Sequence, residues 1–148
     1  MKVLWFSLTP CNGASYLANK DVICGWLQSL ESELKDSENI ELSVCFVHHK
    51  KMASFYFEGV QYYPVTRNWD GNLFKKWLKM WFWSTPKVDD PLVAEFLQVV
   101  HQVQPDLIHI HGTEECFGLI QDKVSVPVVI SIQGILAPYR EKLFSGIS

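Results

Sequence analysis

The sequence predicts an α/β protein with a mostly parallel sheet, doubly wound with helices on both faces. Apolar strand-like runs alternate with helix-periodic segments along the chain, the pattern of βαβ units with right-handed crossovers. The runs Val3-Leu4-Trp5-Phe6 and Val126-Pro127-Val128-Val129-Ile130-Ser131-Ile132 are continuously apolar or nearly so, as expected of parallel strands covered on both sides. The 148 residues, 48% hydrophobic and 20% charged, suit one globular domain that buries roughly 70% of its extended surface. Disorder is thereby excluded for most of the length, and neither metal nor disulfide staples are needed.

The first strand spans Lys2 to Leu8. A loop with Pro10, Asn12 and Gly13 runs to about Ile23, and a helix starts near Gly25. Trp26, Leu27, Leu30 and Leu34 form its apolar face, with Ser29, Glu31, Ser32, Glu33 and Lys35 largely elsewhere. The second strand is Ile40 to Val47, followed by His48-His49-Lys50-Lys51. Phe55 to Val65 is extended, with a turn or bulge at Glu58-Gly59. Leu73 to Trp83 is helical by periodicity. Asp89-Asp90-Pro91 opens a further helix to about Val103, with proline inside its first turn. Pro105-Asp106 ends that helix and launches a strand at Leu107 to His111. Thr113, Glu114, Glu115 and Cys116 open a short helix, its carboxylates at the positive end of the dipole. A buried strand at Val126 to Ile132 follows.

A net charge of −3 and a pI near 5.9 provide no global field for nucleic acid, which is not an expected partner. Cys11, Cys24, Cys45 and Cys116 include no C-x-x-C pair. Reduced thiols and a cytoplasmic setting are expected. The apolar run Val3–Leu8 is shorter than the ~7–15 residues of a signal-peptide core, and no stretch reaches the ~18 apolar residues of a membrane span. Ala137 to Phe144 reads as the opening of a helix cut short at Ser148, so a longer protein is expected.

Ligands of such sheets bind outside the C-terminal strand ends. There the loop Thr9–Cys24 carries neither standard nucleotide fingerprint. It offers Gly13, and Gly25 at a helix N-terminus suited to a phosphate; close packing is the alternative reason for Gly25. In His109-Ile110-His111-Gly112, period-2 geometry puts both histidines on one face. Histidines 109 and 111 with Glu114 could ligate a metal. The hydrolase barrels built that way need around 250 residues, so the reading favoured here has no metal. His111 then faces the crevice as a hydrogen-bond donor, His109 is a satisfied core histidine, and His48 and His49 are solvated loop residues. The aromatic fraction of 14% is concentrated in Leu73–Trp83. Phe74, Trp77, Leu78 and Trp81 share one helical face there, with Lys75, Lys76 and Lys79 largely off it. Two readings stay open: peripheral binding to a bilayer, and packing on the core or a partner domain.

The segments Cys24-Gly25-Trp26-Leu27, Gln104-Pro105-Asp106-Leu107-Ile108-His109-Ile110-His111-Gly112 and Val126-Pro127-Val128-Val129-Ile130-Ser131-Ile132-Gln133-Gly134, in that order, resemble the N-terminal domain of a family 4, GT-B-type retaining glycosyltransferase. The resemblance covers essentially the whole chain and implies one Rossmann-like domain. That domain holds the acceptor, facing a C-terminal donor-binding domain that this chain lacks. It implies sugar transfer from a nucleotide-sugar to a saccharide or lipid-linked acceptor, with no tightly bound cofactor and no metal. Gly13 and Gly25 would approach the donor diphosphate. His111, Gly112, Glu114, Gln133 and Gly134 would line the cleft. Two departures stand out: Cys24-Gly25 replaces the usual glycine pair, and Gln133 replaces a histidine, so it cannot carry charge. The family's glutamate pair belongs to the missing domain; Glu31 and Glu38 share its spacing but run into a turn. The expectation is the acceptor half of a glycosyltransferase of polysaccharide biosynthesis, inactive alone, cytoplasmic or peripheral on the inner face of the membrane. The alternative is a stand-alone flavodoxin-like module that binds a ligand or protein without catalysis.

Overall fold

The computed structural model describes residues 1–23, 25–67, 91–113 and 115–132. Strand β1 (Lys2–Ser7) leads to helices α1 (Gly13–Ala18) and α2 (Trp26–Lys35), then to β2 (Glu41–His48). Strands β3 (Phe55–Phe57) and β4 (Val60–Thr66) follow, then α3 (Pro91–Val103), β5 (Leu107–His111), a 3-10 helix (Cys116–Lys123) and β6 (Val128–Ser131). Among the described residues the strands form one six-stranded sheet in the order β3-β4-β2-β1-β5-β6. Every pair is parallel except β3–β4. The molecule is an α/β protein with a mostly parallel sheet.

Successive side chains of β1 point to opposite faces, and both faces are covered. Val3 and Trp5 join Leu42, Val44, Phe46 and Tyr62 beneath Leu27, Leu30 and Leu34 of α2. Leu4 and Phe6 join Cys45, Ile108 and Ile110 beneath Leu92, Val93, Phe96 and Val99 of α3 and Phe117 and Ile120 of the 3-10 helix. Register is fixed at the strand heads. The Lys2 amide donates to the Asp106 carboxylate at 2.7 Å, and the Asp106 amide returns a bond to the Lys2 carbonyl at 2.8 Å. Trp5 therefore lies beside His109 and Phe6 beside Ile110.

Several local readings change. Phe55–Val65 is an antiparallel hairpin, turned by Glu58 (φ 46°) and Gly59 (φ 89°); positive φ at both central residues suits the right-handed twist of the flanking strands. Helix α1 occupies part of the predicted β1–α2 loop. Six residues are too short to show a period, and its C-cap, Asn19, is left-handed. The helix expected to open at Thr113 starts instead at Cys116 and is 3-10, with Glu115 as an extended N-cap whose carboxylate does not cap it. The strand expected to be buried at Val126–Ile132 is shorter and half open, with Val129 47% and Ile132 65% exposed. Glu31, expected off the apolar face, is fully buried. It stands four residues after Leu27 and three before Leu34, on the stripe itself.

The predicted helix Leu73–Trp83, with Lys75, Lys76, Trp77, Lys79 and Trp81, lies outside the described residues, as do Cys24, Asp89, Asp90, Glu114, Gln133 and Gly134. Among the described residues no helix is long and apolar enough to cross a membrane.

Phe96 is fully buried, with ring centroids 5.5 Å from Phe6 and 5.0 Å from Phe117. Phe96→Ala is expected to destabilise the fold by about 3–5 kcal/mol, read as a lower urea midpoint at an unchanged slope.

Candidate functional site

The chain leaves β1, builds β2 and β4 to one side, then crosses back to place β5 on the other. Adjacent loops at such a reversal run in opposite directions and open a crevice at the C-terminal strand ends. The candidate site is therefore placed at the C-terminal ends of β1 and β5, beyond Ser7 and His111.

Helix α2 supplies a positive end. Its N-cap, Gly25, has φ 77° and ψ −155°, and no side chain caps the helix. Residues with a Cβ are strained in that backbone region, while nothing lies within 4 Å of where a Cβ would sit. Backbone conformation therefore requires the glycine, and close packing does not. Gly13 is the opposite case. A Cβ there would fall 2.8 Å from Cε1 of Tyr62, so its hydrogen side is needed for contact with the ring.

His111 sits at the tip of β5, as expected, but it is buried at 2% exposure and does not stand open to the crevice. Trp5 meets it edge-on at a centroid distance of 4.5 Å, Trp26 of α2 at 5.6 Å, and His109 at 3.9 Å. The two histidines do share one face. Neither ring nitrogen of His111 has a hydrogen-bond partner among the described residues. Burial, aided by neighbouring His109, lowers its pKa to about 4, so the ring is neutral near pH 7. It offers one N–H donor and one acceptor nitrogen.

His109 is satisfied, as expected: its Nε2 shares a 2.7 Å hydrogen bond with the Ser131 hydroxyl of β6. Burial also lowers its pKa. Gly112 takes φ 92° as the chain leaves β5, and its amide donates to the Ser131 carbonyl at 2.9 Å. The left-handed turn explains the glycine, and the backbone bond continues the β5–β6 ladder past the strand tip. His49 is exposed, and the His48 ring lies 2.9 Å from the Lys50 carbonyl. Among the described residues no group of three or more histidine, cysteine or acidic side chains gathers as a metal site.

Three features were missed in the sequence. Arg67, just past β4, donates to the Glu115 carboxylate. This ion pair ties the segment after β4 to the one after β5, although β2 and β1 lie between them in the sheet. Trp5 floors the histidine pair; a strand tryptophan at period 2 from Val3 carries no mark of that role. Glu31 accepts from the Asn12 amide at 3.0 Å and from the Tyr62 hydroxyl. Its signal was present, as a carboxylate on a leucine stripe. A cavity of about 230 Å³ lined by Asn12, Asp21, Gln28 and Glu58 among others lies elsewhere; Trp5, Gly25, His109 and His111 are not in its lining.

No known protein family, curated protein or solved structure matches this chain.

The acid response of the fold follows from the buried ring. An unfolded His111 takes up a proton near 6.5, whereas the folded one resists until about 4. The unfolded state thus binds the proton first, and stability falls as pH drops through that window. Urea unfolding at stepped pH should show this loss. His111→Gln should flatten the slope in part, and His109, its pKa also lowered by burial, contributes in the same direction.

Proposed function

We propose that this chain is the acceptor-binding half of a nucleotide-sugar-dependent, retaining glycosyltransferase of the GT-B type, with a Rossmann-like, doubly wound architecture. The observation that carries the reading is the pairing of two features at the β1–β5 crevice. One is the uncapped, glycine-started N-terminus of α2; the other is a buried His111 with both ring nitrogens unpartnered among the described residues, in contact with Trp26 beside that helix end. A helix N-terminus favours phosphate through its amide groups and dipole. The neutral His111 imidazole, enclosed by Trp5 and Trp26, is proposed to hydrogen-bond a sugar hydroxyl when Trp26 turns aside, without competing for the charge. Phosphates and sugar hydroxyls are the two polar parts of a nucleotide-sugar. The resemblance of the Gln104–Gly112 and Val126–Gly134 segments to the family supports the same reading.

In this mechanism the acceptor hydroxyl, held on this domain, attacks the sugar's anomeric carbon from the face the nucleotide leaves, so that configuration is retained. The bond from that carbon to the diphosphate oxygen breaks, and the departing diphosphate oxygen takes the hydroxyl proton. The departing diphosphate takes the bonding electrons, and its negative charge is stabilised at the Gly25 end of α2. Gly112, Glu114, Gln133 and Gly134 are proposed to border the cleft, and the C-terminal domain is proposed to supply the catalytic glutamates. Gly13, expected at the donor phosphate, packs instead on the Tyr62 ring. The setting is cytoplasmic, with the Trp-rich segment resting on the membrane's inner face and the acceptor saccharide or lipid-linked.

Titration of the ¹⁵N-labelled chain with UDP, GDP and ADP tests this. Half a donor site should give shifts at Gly25, Trp26 and His111 that saturate only at millimolar nucleotide. Saturation at micromolar concentrations or below by a nucleotide or flavin would instead favour the stand-alone flavodoxin-like module. No shift at Gly25 with any of the three would sink the glycosyltransferase reading. For the membrane contact, Trp77→Ser with Trp81→Ser should abolish sedimentation of the full-length enzyme with anionic vesicles; unchanged sedimentation would remove that element.

A further inference from the structure

Glu31 is a carboxylate where the periodicity of α2 calls for a leucine. It is fully buried, and no salt bridge to it occurs among the described residues. A buried charge is costly unless its oxygens are hydrogen-bonded, and here both are. Oε2 accepts from the backbone amide of Asn12 at 3.0 Å, and Oε1 accepts from the hydroxyl of Tyr62 on β4. Burial and the Glu31 carboxylate together push the Tyr62 hydroxyl well above its ordinary range, so it stays protonated and donates.

The segment these bonds hold needs holding. Cys11 has φ 49°, a left-handed conformation that a non-glycine residue keeps only when its surroundings impose it. Asn12 follows, its side-chain amide donating to the Ser32 hydroxyl of α2 at 3.2 Å, and Ser32 donates to the Gln28 carbonyl at 3.0 Å. Gly13 presses its α-carbon on the Tyr62 ring. The turn leaving β1 is thus fastened to two successive residues of α2 and to β4. Gly25 stands six residues before Glu31, about 9 Å along the same helix at 1.5 Å per residue.

We propose that Glu31 is a positioning residue: from the buried face of α2 it fastens the Cys11–Asn12 turn and Tyr62 of β4 to the helix, and so fixes where the Gly25 end of that helix stands to receive an anionic ligand. The ligand is the diphosphate of a nucleotide-sugar, and in this respect the inference rests on the glycosyltransferase reading. A leucine at position 31 would fill the space and leave the Asn12 amide without its acceptor. Glutamine keeps an acceptor for that amide, and its own N–H can donate to a Tyr62 hydroxyl turned to accept.

Two readouts on the whole 148-residue chain, each taken on folded protein, test the assignment. The first is hydrogen exchange of the Asn12 amide; the second is the shift of the Gly25 and Trp26 amides on titration with inorganic pyrophosphate. Glu31→Leu should speed Asn12 exchange by roughly ten- to a hundredfold and weaken the pyrophosphate response by about tenfold. Glu31→Gln should restore both to within about threefold of wild type. A role confined to stability would lower the melting temperature without changing the affinity of the molecules that remain folded.

If Glu31→Leu does not fold, Tyr62→Phe, which removes one anchor and keeps the Asn12 bond, should show both effects in weaker form. Wild-type exchange and pyrophosphate response in Glu31→Leu, or in Tyr62→Phe where only that variant folds, overturn the proposal. If wild type itself gives no pyrophosphate shift at Gly25, the ligand reading falls and Glu31 is judged on Asn12 exchange alone. Accelerated exchange in the variants then upholds its hold on the turn, and unchanged exchange overturns it.

Discussion

Strand β1 is the constraint on which the rest of the molecule depends. It lies between β2 and β5 and buries all of its residues from Val3 to Ser7. Because its side chains alternate, one apolar strand requires a cover on each face; each large side chain so buried contributes about 1.5–3 kcal/mol. Trp5 takes the cover of α2, and Phe6 that of α3 and the 3-10 helix. In the sheet β2 and β5 flank β1 on opposite sides, and the candidate site is placed at the strand ends where that order reverses. Core and candidate site are consequences of the same strand.

Much of this was legible in residue order. The unbroken apolar run at Val3–Phe6 reads as a strand covered twice, and Pro91 and the Pro105-Asp106 break bracket α3. The alternation in His109-Ile110-His111 put the histidines together. What could not be read depends on partners far away in sequence. His111 looked like a residue of an open strand tip, and it is enclosed because Trp5 and Trp26 close over it. Glu31 reads as lying off the apolar face, because a carboxylate among leucines makes sense only once Tyr62 arrives from β4 to donate to it. Helix α1 was lost for another reason: its six residues carry no period.

The polar groups of the site divide between charge and neutrality. The end of α2 provides partial positive charge without a titratable side chain, so its attraction for an anion does not vary with pH. His111 is kept neutral by burial and contributes hydrogen-bonding direction without net charge. Glu31, the fully buried carboxylate, turns both oxygens toward donors of the fold, its charge stabilised by hydrogen bonds in place of a counter-ion. Such an arrangement separates ligand attraction from the support of the scaffold.

Strand β6 has consequences for how the protein behaves in solution. Among the described residues it has no neighbour beyond β5, and Val129, Ile130 and Ile132 remain partly open on its surface. From Val124 to Ile132 there is no charged side chain, and β-branched residues dominate. Unpaired strand edges of this composition template the addition of further chains. Pro127 gives no protection there, because its carbonyl accepts from the Ile108 amide of β5 and its backbone faces the paired side. The open edge of β6 is therefore the place to add solubilising charge, on side chains other than Ser131, whose hydroxyl is bonded to His109.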